Sequence, residues 1–340
     1  MKRNGIICAG NFIVDHLRLV ETWPEQDMLA SITSEMMSNG GGPFNVLKDL
    51  STMRVDFPLE AAGCVGRDTD GEWILKECDE AGIGTRQLHV VEGEPTSYTE
   101  VICVSSTGRR TFFHRRGANA LFDLQHLDFE LSQASHFHLA YLMLLDSLDS
   151  PEDGSIDGRT RAASLLRKAH EGGLTTSVDL VSTEHPMFME KVGSALPFID
   201  YLFVNEREAE LATGVKIKSD GEISPAAACK AARMLLAGGV RRQVILHFQS
   251  GAIVCDADGG LTTCDALEIP RDKVVGSNGA GDAFAAGYLF GLQAEWNIPE
   301  CLRMATTAAA ACLTHASPSG GLLPARECLA LGQYFVTKTA

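Results

Sequence analysis

At 340 residues the chain is long enough for one large α/β domain or two smaller ones. Hydrophobic residues at 45% and charged residues at 21% are ordinary for a water-soluble globular protein. A net charge of −15 opposes nucleic acid or an anionic membrane surface as the main partner.

The longest apolar runs, such as 304–313, are too short or interrupted to span a bilayer. The start has two basic residues, Lys2 and Arg3, but its apolar stretch soon meets Asn11 and Asp15. That pattern argues for a first buried strand and against a signal peptide. The ten cysteines include no C-x-x-C pair, and most sit among apolar residues. They read as buried thiols of a reducing, cytoplasmic setting, with no disulfide framework or zinc ribbon.

Residues 4–10 read as a strand, and 28–37 as extended chain. A helix follows from Pro43 to about Met53, with proline in its first turn. A strand at 59–65 and a helix at 69–81 come next. Residues 96–105 and 110–116 alternate around Ser105-Ser106-Thr107-Gly108, which predicts a β-hairpin. The run 137–145 begins as a strand. Helix 158–171, strand 174–180, helix 185–195, strand 200–204, helices 205–213 and 224–237, and strand 242–248 then alternate. Short strands near 251–256 and 261–268 lead to two closing helices, about 279–293 and 298–315. Strands alternating with helices predict a mostly parallel sheet covered on both faces. The pieces at about 12–38 and 96–117 break that alternation and suggest a small separate sheet able to close over a ligand.

The most informative segment is 274–287, VVGSNGAGDAFAAG. Two β-branched valines give way to a turn of small residues, and an Ala-rich helix begins at Gly279-Ala280-Gly281-Asp282. A helix N-terminus offers unpaired amides and partial positive charge to an anion. Asp282 beside that anion hole is either an acceptor for a hydroxyl proton or an ordinary helix cap.

Four further groups bear on the choice. Asp15 lies just past the carboxyl end of the first strand, where open α/β sheets bind ligands. Gly40, Gly41 and Gly42 precede Pro43 and Asn45, allowing close approach and offering an amide. Asn205 and Glu208 form a capping-box pattern at a strand end, and the same pair can also hold the water shell of Mg²⁺. Arg115 and Arg116 precede Asn119 after the hairpin, and either guard a sheet edge or face an anion. His136 and His138 have no partner of metal-ligand spacing and read as core or edge histidines. The chain has no Gly-Lys dipeptide, hence no Walker-type loop, and Phe284 stands where a dinucleotide fingerprint needs glycine.

In this order the motifs resemble the ribokinase-like (PfkB) family of carbohydrate kinases, from Gly10 to about Pro324. The resemblance implies an α/β fold, a mostly parallel central sheet flanked by helices, as a single kinase domain over 1–340. It implies a small β lid formed by about 12–38 and 96–117. The implied reaction moves the ATP γ-phosphoryl group to a sugar hydroxyl, usually with Mg²⁺. Asp282 would be the base, and the amides of Gly279, Ala280, Gly281 and Asp282 the anion hole. Asp15, Gly41, Gly42 and Asn45 would hold the sugar, with Asn119 approaching from the lid. Asn205 and Glu208 would position Mg²⁺, water and phosphate. Ser250, Gly251 and Asn278 would lie along the nucleotide.

The chain departs from that pattern at Gly276-Ser277-Asn278, where many members carry an acid near a monovalent-cation site, so K⁺ activation stays open. His247-Phe248-Gln249-Ser250-Gly251 also replaces a run of small residues. A nucleoside kinase on the same scaffold, or a sugar- or nucleotide-binding regulator without catalysis, remains open. A dehydrogenase is disfavoured by the fingerprint. Edge strands in the lid suggest a homodimer through it.

Overall fold

The computed structural model describes residues 3–155 and 158–335. The sequence expectations for residues 1, 2, 156, 157 and 336–340 lie outside that range. The chain opens with β1 (Ile6–Gly10), β2 (Ile13–Val20), β3 (Ile32–Gly40), α1 (Gly42–Thr52), β4 (Leu59–Gly66), α2 (Thr69–Glu80) and β5 (Gly84–Val91). It continues with β6 (Ser97–Val104), β7 (Arg110–Arg115), β8 (His136–Leu142), α3 (Arg161–Glu171), β9 (Thr175–Leu180), α4 (Phe188–Ala195), β10 (Tyr201–Asn205) and α5 (Glu206–Thr213). A two-residue hairpin, β11 (Lys218–Ser219) and β12 (Glu222–Ile223), precedes α6 (Pro225–Ala237), β13 (Gln243–Phe248), β14 (Gly251–Asp256) and β15 (Leu261–Asp265). The last helices are α7 (Ala280–Gln293), α8 (Ile298–Cys312) and α9 (Ala325–Tyr334).

Nine strands form one sheet in the order β15-β14-β13-β10-β9-β8-β1-β4-β5, parallel except for the antiparallel pairings of β14 and β15. Successive side chains of a strand point to opposite faces. Ile7 and Ala9 of β1 therefore join the core beneath α3 to α6, while Ile6 and Cys8 join the core beneath α1, α2, α7, α8 and α9. Every one of these four side chains is fully buried, so β1 reads as a continuous apolar run, as a two-sided sheet requires.

The expected hairpin is β6 and β7, and it belongs to a second sheet of order β3-β2-β6-β7. In that sheet β2 pairs antiparallel with β3 and parallel with β6. The two pieces that broke the α/β alternation thus assemble together.

Some expectations shift. The helix expected from 158 starts at Arg161, because Thr160 caps it by accepting from the Ala163 amide. The helix expected from 185 starts at Phe188, after Pro186. The run 137–145 does begin as a strand, which ends at Leu142. Strand β5 and helix α9 were not anticipated. In α9 only Cys328 is fully buried, too little for an apolar period to register.

Helix α7 is held to the sheet by Tyr288, whose ring meets Phe203 of β10 edge-on at 5.6 Å. Its hydroxyl donates to Gln243 at 2.7 Å. Such an aromatic pair contributes about 1 kcal/mol beyond its buried area. This packing fixes the helix whose first turn carries Asp282.

Candidate active site

Asp282 sits in the first turn of α7 but does not cap it, since Gly279 at the N-cap receives no side-chain bond. Gly279 takes a left-handed backbone (φ 80°) with Pro318 packed on its open face, a place no other residue fills without strain. The first bond within the helix runs from the Ala283 amide to the Gly279 carbonyl. The Ala280 amide turns back to the Ser277 carbonyl at 3.4 Å, which leaves the amides of Gly281 and Asp282 as the open N-terminal end of the helix.

The Asp282 carboxylate instead faces the carboxyl edge of the sheet. The Asn45 amide of α1 donates to its Oδ2 at 2.7 Å, and the Tyr141 hydroxyl at the end of β8 donates to its Oδ1 at 2.6 Å. Burial pushes the Asp282 carboxyl up to about 6, while these two bonds pull the other way. A carboxylate poised near neutrality is suited to accept a proton at physiological pH.

Asn45 is itself oriented. Its Oδ1 accepts from Asn39 at 2.7 Å, and the same Asn39 amide donates to Ser319 at 2.9 Å. Gly41 makes the approach of α1 possible. It has φ 83°, and a side chain there would collide with the Asn11 carbonyl. The glycines before α1 were read as room for a ligand. The structure fills that room with protein: a side chain at Gly40 would collide with the Asp15 carboxylate, and one at Gly42 with Ala140 and Tyr141.

Asp15, in β2 of the small sheet, is 7% exposed and accepts from the Asn278 amide at 3.2 Å. Burial pushes its carboxyl up to about 7, with the Asn278 bond opposing and the Asp282 charge adding. Asn278 was expected along the nucleotide, yet its amide turns towards Asp15. Asn119 was expected to approach a sugar from the lid. It is fully buried, and both ends of its amide bond the Phe12 backbone, at 3.3 Å and 3.0 Å. It fixes the turn that delivers Asp15.

Asn205 and Glu208 form a reciprocal capping box at the start of α5, each side chain bonding the other's backbone amide at 2.9 Å. The Asn205 amide and the Ser182 hydroxyl both also donate to Glu208 Oε1 at 2.8 Å. Burial holds the Glu208 carboxyl above its ordinary range. Burial also holds Asp179, at the end of β9, well above its range, with the Glu208 and Asp282 charges adding. These hard oxygen donors suit a hydrated divalent cation, which offsets their mutual repulsion. Among the described residues, no three His, Cys, Asp or Glu side chains cluster closely enough to ligate a metal directly.

A cleft of about 540 Å³ opens on the other side of the α7 N-terminus, lined by His247, Gly251, Leu267, Gly281, Phe284 and Leu313 among others. Gly251 faces it, whereas Ser250 lies outside its lining. The His247 ring lies 5.1 Å from Phe284 and beneath Gly281. Burial lowers its basicity to about 4, so it is a neutral, flat floor.

The structure therefore joins Asp15, Asn45, Asn278 and Asp282 around one edge. Tyr141, Asp179, Asn39 and Ser319 are additions that sequence reasoning missed. Asp179 carried the same signal as Asp15, an acid at a strand's carboxyl end. Tyr141 carried none.

The model of the pfkB family of carbohydrate kinases matches residues 3–326. Adenosine kinase 1 of Arabidopsis thaliana is 25% identical over 275 residues, 78% of this chain and 75% of that protein. An ATP-dependent ribose-1-phosphate kinase of Halopiger xanaduensis is 26% identical over 285 residues, covering 84% and 83%. In fold, the chain is similar to Arabidopsis thaliana ribokinase complexed with ribose and ATP (TM-score 0.78, 21% identity, covering 97% and 99%). It is also similar to the Methanocaldococcus jannaschii nucleoside kinase (TM-score 0.72, 18% identity, covering 97% and 99%). A glycine-framed helix end beside a buried carboxylate is in keeping with a family match over nearly the whole chain, and that match leads to one conclusion: this chain belongs to the pfkB family of carbohydrate kinases, phosphotransferases whose acceptor is an alcohol group.

Proposed function

We propose that the protein is an ATP-dependent sugar kinase, one kinase domain with the small sheet as its lid. The observation that carries this reading is the buried Asp282 carboxylate, held by Asn45 and Tyr141 at the open end of α7. The acceptor hydroxyl binds between Asp15, Asn45 and Asp282. Asp282 takes its proton as the oxygen attacks the γ-phosphorus. The bond to the β-phosphate oxygen breaks, and the products are ADP and a sugar phosphomonoester.

The open amides of Gly281 and Asp282 face the charge on the transferring group, an interaction strongest where water is excluded. The 540 Å³ cleft over His247 is large enough for a nucleotide base and ribose. Mg²⁺ fits the hydrated cation expected at Asp179, Asn205 and Glu208, where it would neutralise phosphate charge. The ribose and ATP held by the Arabidopsis ribokinase support a sugar acceptor and ATP donor. The adenosine kinases among the relatives favour a second reading, in which the acceptor hydroxyl belongs to a nucleoside.

A coupled ADP-release screen over sugars, sugar derivatives and nucleosides, with Mg²⁺ and with or without K⁺, tests both. Sugar-dependent ADP release is expected. Release with nucleosides alone selects the second reading. No acceptor-dependent release from a broad panel overturns both.

A further inference from the structure

The small sheet carries a half-buried cation that the acceptor and nucleotide sites leave unused; Arg115 of the same sheet is also unpaired among the described residues but lies exposed. Arg110 begins β7, is half-buried, and makes no ion pair or side-chain hydrogen bond among the described residues. Its neighbours differ. Arg18 is paired with Glu35 and Glu100, and Arg116 with Asp146. The Arg110 guanidinium rests on Gly276: a Cβ added there would collide with Nη2, with the His315 carbonyl oxygen 3.2 Å away. Gly276 has no left-handed backbone that needs glycine. The absent side chain at 276 is what makes room for the guanidinium.

Around this contact lies a second cavity of about 470 Å³, lined by Gly108, Arg110, Phe112, Gly276, Ser277 and Asn278 among others. It is on the Asp15 side of the α7 turn, because Asn278 lines it and donates to Asp15. The cleft over His247 adjoins it, sharing Val274 and Ser277, but is lined by neither Arg110 nor Asn278. An unpaired guanidinium in a partly desolvated cavity is costly unless an anion meets it, and its planar fork matches an oxyanion with two bonds. In a chain of net charge −15, a half-buried unpaired arginine facing a cavity is a specific feature, not a general field.

We propose that Arg110 and the Gly276 notch form an anion subsite for the acceptor, so that the sugar carries an oxyanion group, a phosphate monoester or a carboxylate, distant from the hydroxyl facing Asp282. This deepens the sugar-kinase reading and rests on it. In this reading the nucleotide's phosphates are left to the α7 amides, and the Arg110 fork to the acceptor.

The test has a binding arm and a turnover arm, both on the full chain. Calorimetry measures neutral sugars, their phosphate monoesters and sugar acids against wild type, R110M, R110K and G276A. The panel separates phosphate from carboxylate as the source of the anion. An anionic sugar is expected to bind wild type about 10- to 100-fold more tightly than its neutral parent. R110M should abolish that preference, and R110K should keep part of it because charge remains without the fork. G276A should weaken it by displacing the flexible guanidinium, with the thermal midpoint little changed. The ADP-release assay should show the same loss as a rise in KM for the anionic acceptor with KM for ATP unchanged. Equal binding of neutral and anionic sugars, or R110M lowering turnover alike with both, overturns the inference. Those results leave the kinase reading intact, because neutral sugars would still give acceptor-dependent ADP.

Discussion

Two sets of titratable side chains are buried, one beside the carboxyl edge of the large sheet and one within it, and they behave oppositely. Asp15, Asp179, Glu208 and Asp282 gather at the carboxyl end of the strands. Burial raises all four, and the Asp282 charge adds to the burden on both Asp15 and Asp179. His136 and His138 lie deeper in β8 and share one partner, the Ser177 hydroxyl, at 2.7 Å each. Burial drives both imidazoles down to about 3, so they stay neutral. The histidines pack. The carboxylates hold a charge problem that a proton, a hydroxyl group or a cation relieves. Burial alone does not mark a functional site; burial with unrelieved like charge beside ligand-sized space does.

The comparison breaks most sharply at Asp282. D282N should lower kcat by about 10³, in the range a lost general base produces. It should not unfold the protein, since the amide keeps a group for both Asn45 and Tyr141. The sign of its stability effect follows from the raised carboxyl. The wild-type group favours folding only while protonated, below its unfolded value near 3.8, and that contribution is lost as pH rises through about 6. D282N should therefore gain in urea midpoint on wild type at pH 8, with the gap closing below pH 6. Urea titrations at pH 5 and 8 measure it. A midpoint gain equal at both pH values would show that the carboxylate carries no charge burden.

A smaller effect is expected one bond away. The Tyr141 hydroxyl bond favours the ionised form of Asp282. Wild-type kcat should rise with pH through about 6 as the base ionises. In Y141F the rise should move about one unit higher, with kcat at pH 7 several-fold lower and the alkaline plateau nearly restored. A pH–rate profile at saturating acceptor separates this from a steric role, which would lower kcat equally at all pH values.

Much of this site is legible in the chain because its signals are local. Gly279-Ala280-Gly281-Asp282 announces a glycine-framed helix start with an acid in its first turn, within four residues. Asp15 announces a ligand edge because an apolar strand ends just before it. The alternation of buried strands and capped helices yields the large sheet, and the hairpin around Ser105–Gly108 yields half of the small one. What escaped depends on which way a side chain turns in three dimensions. Asn278 is next to the helix end in sequence but bonds a carboxylate 263 residues away. Asn119 looks like a ligand amide until both its ends are found on the Phe12 backbone. Tyr141 sits within an apolar run, where a tyrosine is indistinguishable from core until its hydroxyl meets Asp282. Three glycines before α1 look alike in sequence, yet they make room for a carbonyl, a carboxylate and a tyrosine.

The smallest expected effect is at the histidines, where only stability should change. The Ser177 hydroxyl can donate to one ring nitrogen while accepting from the other, which leaves both rings neutral and paired. S177A strands both nitrogens in the core, at a cost of about 2 kcal/mol, and should leave kcat and both KM values unchanged. The pH sign is opposite to that of Asp282. Each imidazole lies lower in the folded chain, about 3, than its unfolded value near 6.5. Its contribution is complete above pH 6.5 and is lost as pH falls towards 3, because the unfolded chain binds the proton first. Replacing one histidine by an apolar residue of similar volume, as in H138L, should flatten the fall in urea midpoint between pH 6.5 and 4.5. An unchanged slope would show that the histidines do not set the acid limit of this fold, and that other buried groups do.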